Sequence, residues 1–380
     1  MPSWRPSRSE DFRHGPSARH RALSSVPGSF RSHRRSSDIR GWWIVAVNTD
    51  VSVVICAYDN ARWRHFEETM RSLRRQTHRA SETLVVVDHN PQFFGRARER
   101  FPQAKVVENV YPRGLAGARN TGVENASGAV VAFLDDDAFA AGDWLARLLD
   151  PYSNADVAGV GGSIEPVWAS GRPKWFPPEF DWVVGCTYLG LPDTTHDVRN
   201  MIGCNMSFRR SVLESLGPFR LGYGCDETEL CIRLCQRWPA MRLRYVPRAK
   251  VFHHIPEGRA RFGYFMSRCY FEGGSKAVVS SLVGSKEGLS SERRYTRDVL
   301  PRGVLRGITD VALRADPHGL GRAGAIIAGV ATAGAGYVAG RLTTERAARD
   351  RGWYGDWPPH RQRNHGPCDQ PVPRDAGTGR

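Results

Sequence analysis

Ala129-Val130-Val131-Ala132-Phe133-Leu134-Asp135-Asp136-Asp137 is the stretch on which the fold of this chain turns. Its apolar half is short, partly β-branched and free of polar alternation, which is the pattern of a strand buried in a parallel sheet. The three carboxylates then fall at the strand's carboxyl end, the edge where open α/β sheets bind ligands. With no basic neighbour in sequence they repel one another unless a cation joins them. Hard oxygen donors beside a cleft suit Mg²⁺ or Mn²⁺ shared with a diphosphate. A solvated acidic turn would explain the triplet equally well if it stood alone.

It does not stand alone. Val51–Tyr58 is another buried strand, closed by Asp59-Asn60, and Thr83–Val87 is a third, closed by Asp88. Between them Phe66, Met70 and Leu73 recur at helical spacing, with Glu67, Arg71 and Arg74 facing outward. A short strand at Val106–Val110 and a glycine-punctuated helix over Ala116–Asn125 lead into the decisive strand. Alternation of this kind predicts βαβ units and a mostly parallel sheet, an α/β fold whose acid-closed strand ends converge on one edge as a nucleotide site. No G-x-G-x-x-G follows the first strand and no Walker A lysine loop occurs, which argues against a dinucleotide fold and a P-loop NTPase.

The second half reads differently. A short helix over Asp143–Leu149 is followed, at residues 166–192, by a segment dense in proline and aromatics, including Trp168, Trp175, Phe176, Phe180, Trp182 and Tyr188. Such rings either stack on sugars, cover a lipid, or pack an irregular loop onto the sheet. Gly203-Cys204-Asn205-Met206 leads into a short helix ending at Leu216. Asp226-Glu227-Thr228-Glu229 heads another helix, where acids in a first turn also simply complement the helix dipole. A strand over Leu243–Phe252 closes on His253-His254.

In order and spacing these pieces resemble the inverting glycosyltransferases of family 2, over roughly residues 51–275. The motifs are Tyr58-Asp59-Asn60, Val87-Asp88, Arg113-Gly114 with Arg119-Asn120, the triple aspartate, Gly203-Cys204-Asn205-Met206, and the acidic helix start followed by a histidine. The resemblance implies a GT-A fold, a Rossmann-like sheet flanked by helices with a helical C-terminal extension. It implies that Tyr58, Asp59 and Asp88 hold the nucleotide base, that Arg113, Gly114, Arg119, Asn120 and Asn205 line the donor, and that Asp135 and Asp136 engage ribose and diphosphate. Asp137, Asp135 and a late histidine, His253 or His254, would ligate Mg²⁺ or Mn²⁺. The general base is usually the second acid of a Glu-Asp pair. Here the pair is reversed, so position indicates Glu227 and leaves Asp226 as its competitor. Arg268 and Lys276 lie where related enzymes place a cation near the diphosphate. The implied partners are a nucleotide-sugar donor, most often UDP-linked, and a glycan or polyprenyl-linked acceptor, as in bacterial and archaeal cell-envelope enzymes including glucuronosyl transferases.

Charge and composition set the remaining limits. Of the net +15, residues 1–40 carry nine Arg against three acids and residues 341–380 carry eight Arg against five, leaving +6 for the 300 residues between. Arginine-rich ends without apolar periodicity read as disordered, and the first 40 residues lack a secretory signal's apolar core. The expected organisation is a basic arm at 1–48, the glycosyltransferase domain at 49–280, a helical region at 281–344 and a tail at 345–380. The eight cysteines are irregularly spaced without CxxC, which fits reduced thiols in a cytosol rather than a disulfide framework or a zinc site. Ala323–Gly340 is uncharged but built mainly of Gly and Ala. It reaches the lower length limit for a span and reads better as a helix packed on a partner or resting at the inner face of the cell membrane. Small residues at Gly324/Ala328 and Gly336/Gly340 would allow close packing. Two alternatives remain at this level. A nucleotidyltransferase would share the sheet but show a Gly-rich basic loop after the first strand, and a nucleic-acid-binding protein would rest on the arginine-rich ends alone. No nucleic-acid partner is expected.

Overall fold

The computed structural model describes residues 50–222, 224–284 and 289–350, with side chains described through residue 343. The expected basic arm and most of the expected tail, with Cys368, lie outside the described residues.

The acid-closed strands assemble as the apolar runs predict. β1 (Val51–Ala57) pairs in parallel with β2 (Glu82–Val87) on one side and with β4 (Val130–Asp135) on the other, and β2 pairs in parallel with β3 (Lys105–Glu108). Both faces of β1 are covered, which is why its sequence does not alternate. One face meets α1 (Trp63–Arg74) and α2 (Pro91–Arg100), where Phe66 sits with its ring centroid 5.0 Å from Phe93 and 5.4 Å from Phe101. The other face meets α3 (Leu115–Asn125), so closely that a Cβ on Gly122 would come within 2.4 Å of Val54. Helix α2 was not anticipated, although Asn90-Pro91 announces it: the Asn90 side chain accepts from the Phe93 N–H and proline occupies the first turn.

Beyond β4 the sheet changes direction. β5 (Ala138–Ala140), α4 (Trp144–Leu149), β6 (Val157–Trp168), the short β7 (His196–Asp197), β8 (Asn205–Arg209), α5 (Arg210–Leu216), α6 (Asp226–Arg237) and β9 (Arg242–Ile255) follow in order. The sheet runs β3-β2-β1-β4-β8-β6-β9-β5, with β7 on β9 and with β8 antiparallel to both β4 and β6. β6 escaped the sequence reading because Gly159, Gly161 and Gly162 weaken its strand pattern. Those glycines are needed by contact: a Cβ at Gly162 would lie 1.9 Å from the Ala249 carbonyl oxygen on the neighbouring β9.

A further unanticipated element, α7 (Phe262–Val283), crosses residue 280, where the sequence placed a domain boundary. The C-terminal region adds α8 (Leu300–Arg314) and α9 (His318–Asp350), whose backbone continues past the expected start of the tail. The segment His318–Thr343 is long and apolar enough to cross a membrane by length and composition. Its small residues face α7 and α8 of the same chain: a Cβ on Gly336 would lie 2.0 Å from the Tyr270 carbonyl oxygen, and one on Gly319 would lie 2.1 Å from that of Gly307. Gly324, by contrast, has no atom of the described residues within 4 Å of its would-be Cβ. Gly336→Val is therefore expected to force α7 and α9 apart and cost roughly 1–3 kcal/mol, the usual scale of overpacking. Gly324→Ala should be neutral or stabilising by up to ~1 kcal/mol. Chemical denaturation of the two variants checks this, and equal effects would show that α9 does not pack as described.

Candidate active site

The carboxyl ends of β1, β2 and β4 open onto a cleft of about 1620 Å³, larger than a small-molecule site of about 300–1,000 Å³ and roomy enough for two substrates. Its floor is the triple aspartate. Asp135 ends β4 half-buried, whereas Asp136 and Asp137 are buried in the turn before β5.

Position alone would leave these charges in conflict. The sequence offered no basic neighbour, yet the fold supplies one: Arg62, at the start of α1, places Nη1 2.9 Å from Asp136 Oδ1 and 3.0 Å from Asp137 Oδ2. Burial pushes the Asp136 carboxyl up to about 7 despite Arg62, with the Asp137 charge adding to the rise. Its Oδ2 is buried without a hydrogen-bond partner among the described residues. Burial also opposes the charge on Asp137, but the hydrogen bond and charge of His253, with Arg62, outweigh it and hold that carboxyl well below the usual range. His253 Nε2 lies 3.1 Å from Asp137 Oδ1. The contact follows from register, because Ala138 is paired with His253 across β5 and β9 and the His254 N–H donates to the Asp137 carbonyl oxygen at 2.9 Å. Successive side chains of a strand point to opposite faces. Thus His253 turns into the cleft and His254 turns away, toward Glu68 at 2.9 Å. Two carboxylates and an imidazole on converging elements, beside an unpartnered buried carboxylate oxygen, are a donor set that fits Mg²⁺ or Mn²⁺.

The end of the cleft where the sequence placed the nucleotide base is shaped by Asp88. Its Oδ1 accepts from Asn109 Nδ2 at 2.6 Å and its Oδ2 from the Gly114 N–H at 2.9 Å, which fixes the β3–α3 loop. Gly114 has φ +144°, a conformation that favours glycine. Asn109, not singled out in the sequence, holds the same turn by accepting from the Tyr111 N–H and the Thr121 hydroxyl. Tyr58, Arg113 and Gly114 line the cleft with Asp88, and Arg62 sits 5.0 Å above the Tyr58 ring.

Across the cleft Cys225, in a left-handed conformation with φ 66°, precedes α6, whose first two residues are acids. Arg119 is fully buried beneath them, with Nη1 2.9 Å from Asp226 Oδ2 and 3.7 Å from Glu227 Oε2. Gly203 makes room for this guanidinium, since a Cβ there would lie 2.3 Å from it. Glu227 remains partly open to the cleft, and burial pushes its carboxyl up to about 7, with the neighbouring Asp226 charge contributing. Glu229, the third acid of the turn, is structural: it is buried against Arg233 at 2.8 Å and Arg220 at 3.4 Å.

Three residues expected to touch the donor lie off the cleft wall. Asp59 caps a helical turn by accepting from the Ala61 N–H. Asn120 exchanges two hydrogen bonds with the Phe219 backbone, at 2.9 and 2.8 Å. Asn205 is buried and ties Trp144 Nε1 to the carbonyl oxygens of Ser163 and Ala249, joining β8, β6 and β9. The aromatic segment divides between core and cleft. Phe176 and Phe180 pack in the core against Phe265, while Trp182 and Tyr188 line the far end of the cleft. Lys276 and Arg268 also line it. Lys276 is held between Glu292 at 3.0 Å and Glu272 at 3.4 Å, in a network that includes a bidentate Arg199–Glu292 pair.

Residues 52–217 match the sequence profile described as Glycosyl transferase family 2. Over 305 residues the chain is 33% identical to the glucosyl-dolichyl phosphate glucuronosyltransferase of Haloferax volcanii, covering 77% of this chain and 96% of that protein. The chain belongs to glycosyltransferase family 2. It is also 26% identical over 296 residues to the succinoglycan biosynthesis protein ExoM of Rhizobium meliloti, with 68% of this chain and 92% of that one covered. Among solved structures, the mannosyltransferase PcManGT from Pyrobaculum calidifontis in complex with GDP-Man and Mn²⁺ is similar at a TM-score of 0.49 and 18% identity, over 77% of this chain and 90% of that one. The fold is the family's GT-A fold, and the protein is a glycosyltransferase. Membership decides between glycosyl transfer and the nucleotidyl transfer that the sheet alone left open.

Proposed function

We propose that this glycosyltransferase moves a sugar, with inversion, from a UDP-linked donor to a hydroxyl of a polyprenyl-phosphate-linked glycan in cell-envelope or polysaccharide biosynthesis. The observation that carries the proposal is the pairing, across one cleft, of a cation-ready acid floor with a carboxylate whose proton affinity is raised to about 7. The printed name of the Haloferax relative, almost all of whose length this chain matches, supports a lipid-phosphate-linked acceptor.

Asp135, Asp137 and His253 would hold Mg²⁺ or Mn²⁺, which when bound neutralises the diphosphate of the leaving nucleotide. Tyr58, Asp88 and the Arg113-Gly114 loop would seat the nucleoside, and Arg62 keeps the acid floor compatible with burial. Glu227 takes the proton of the acceptor hydroxyl as that oxygen attacks the anomeric carbon. The bond from that carbon to the diphosphate oxygen breaks on the opposite face, its electron pair leaves with the nucleotide, and the configuration inverts. Arg119 sits nearer to Asp226 than to Glu227, so Asp226 serves as the ion-pair partner and Glu227 as the base. Donor binding should then require the cation. Calorimetry with UDP and Mn²⁺ is expected to show binding that EDTA abolishes and that Asp137→Asn weakens at least tenfold, whereas equal affinity with and without the ion would remove the metal from this account.

The same reading places the enzyme in the cytoplasm against the inner face of the membrane. Leu305, Ile308 and Leu313 on α8 and Leu320, Ile327 and Val338 on α9 are all exposed, with Arg302 and Arg314 also exposed on α8. Apolar side chains flanked by arginine suit a surface of anionic lipid. Flotation with phosphatidylglycerol vesicles is expected to recover the protein, and Leu313→Glu with Ile327→Glu to lower that recovery several-fold. Recovery unaffected by the pair would place lipid contact elsewhere.

A further inference from the structure

We propose that His65, Glu68 and His254 form a second metal site, of the zinc class, on the face of β9 opposite the cleft. One ligand atom from each residue lies within 4.8 Å of the others. His65 and Glu68 stand three residues apart on α1, a spacing that brings side chains together on one helix face. His254 comes from β9, whose backbone is fixed here by the ladder with β5. Its Nε2 lies 2.9 Å from Glu68 Oε2, and its ring centroid is 4.0 Å from that of His65 at an interplanar angle of 32°.

A hydrogen-bonded His254–Glu68 pair with the His65 ring tilted against it would be self-sufficient but for one atom. His65 Nδ1 is buried with no hydrogen-bond partner among the described residues, a state that costs free energy unless a proton donor or an ion meets it. Two imidazoles and a carboxylate are the protein ligands of many zinc sites that leave a fourth position to water. All three side chains are only partly buried, so an ion can reach them from solvent. Imidazole donors favour Zn²⁺ over Mg²⁺, and this donor set therefore differs in preference from the carboxylate-dominated floor of the cleft.

The position gives the site a structural consequence. α1 begins directly after Arg62, which neutralises Asp136 and Asp137, and β9 carries His253. An ion held by His65, Glu68 and His254 cross-links these two elements on the outer side, with Thr69 Oγ1 donating to the Ala138 carbonyl oxygen at 2.6 Å one turn along. It would thereby fix the frame on which the acid floor is mounted.

The test uses untagged full-length protein, stripped with chelator and titrated with ZnCl₂ by calorimetry and by metal analysis after dialysis. The unsubstituted protein is expected to retain zinc. His65→Gln and Glu68→Gln are each expected to lose one equivalent, or to bind it at least tenfold more weakly, while Asp137→Asn keeps that equivalent. Zinc should also raise the melting temperature of the unsubstituted protein more than that of either variant. Circular dichroism of the zinc-free variants confirms that they are folded, and two conservative changes at separate positions protect against the failure of one. No retained zinc in the unsubstituted protein, or unchanged stoichiometry and affinity in both His65→Gln and Glu68→Gln, overturns the proposal.

Discussion

The three-residue ladder between β5 and β9 is the constraint on which the site depends. It pairs Ala138 with His253, and through that register sets Asp137 beside the imidazole. Without it the triple aspartate would be the end of a strand and the histidines the end of another, with Asp137 and His253 116 residues apart in sequence. Because β5 leaves the acid triplet after only two residues, Asp136 and Asp137 are drawn under the sheet edge and buried. Burial of two adjacent carboxylates needs a counter-charge, and Arg62 fulfils that need from the start of α1.

The opposite wall solves a similar problem with a different aim. Arg119 is buried beneath Asp226 and Glu227, so one guanidinium serves two acids at unequal distances, 2.9 and 3.7 Å. The nearer acid is committed to the ion pair. The farther one stays partly open and has its proton affinity raised toward neutrality, the condition that general-base catalysis requires. In this reversed pair both acids line the cleft, and the longer side chain is the one farther from Arg119.

Much of this was legible because certain residues admit few uses. A short apolar run ending in acids has little place except a central parallel strand, and β1, β2 and β4 formed where their composition indicated. What stayed hidden was settled by tertiary register. Arg62 lies 74 residues from the carboxylate it neutralises. The glycines of β6 weaken its strand pattern and make sense only once β9 is laid against them. Asp59, Asn120 and Asn205 belong to motifs that suggest ligand contact, but none lines the cleft: Asp59 caps a helical turn, and Asn120 and Asn205 hydrogen-bond within the fold. Asn109 gave no local sign at all, since its role arises from the distance between Asp88 and Thr121 in the folded chain. The His65, Glu68 and His254 group was likewise invisible, because only the strand's alternation separates His254 from His253.

Separating binding from turnover in the two acids of α6 tests the central claim most directly. Glu227→Gln should retain UDP-sugar affinity in the presence of Mn²⁺ while single-turnover transfer to a polyprenyl-phosphate-linked glycan falls by about a hundredfold or more, the scale of losing a general base. Asp226→Asn, measured alongside, should reduce stability before it reduces chemistry. Abolished turnover in Asp226→Asn together with unchanged turnover in Glu227→Gln would contradict the account.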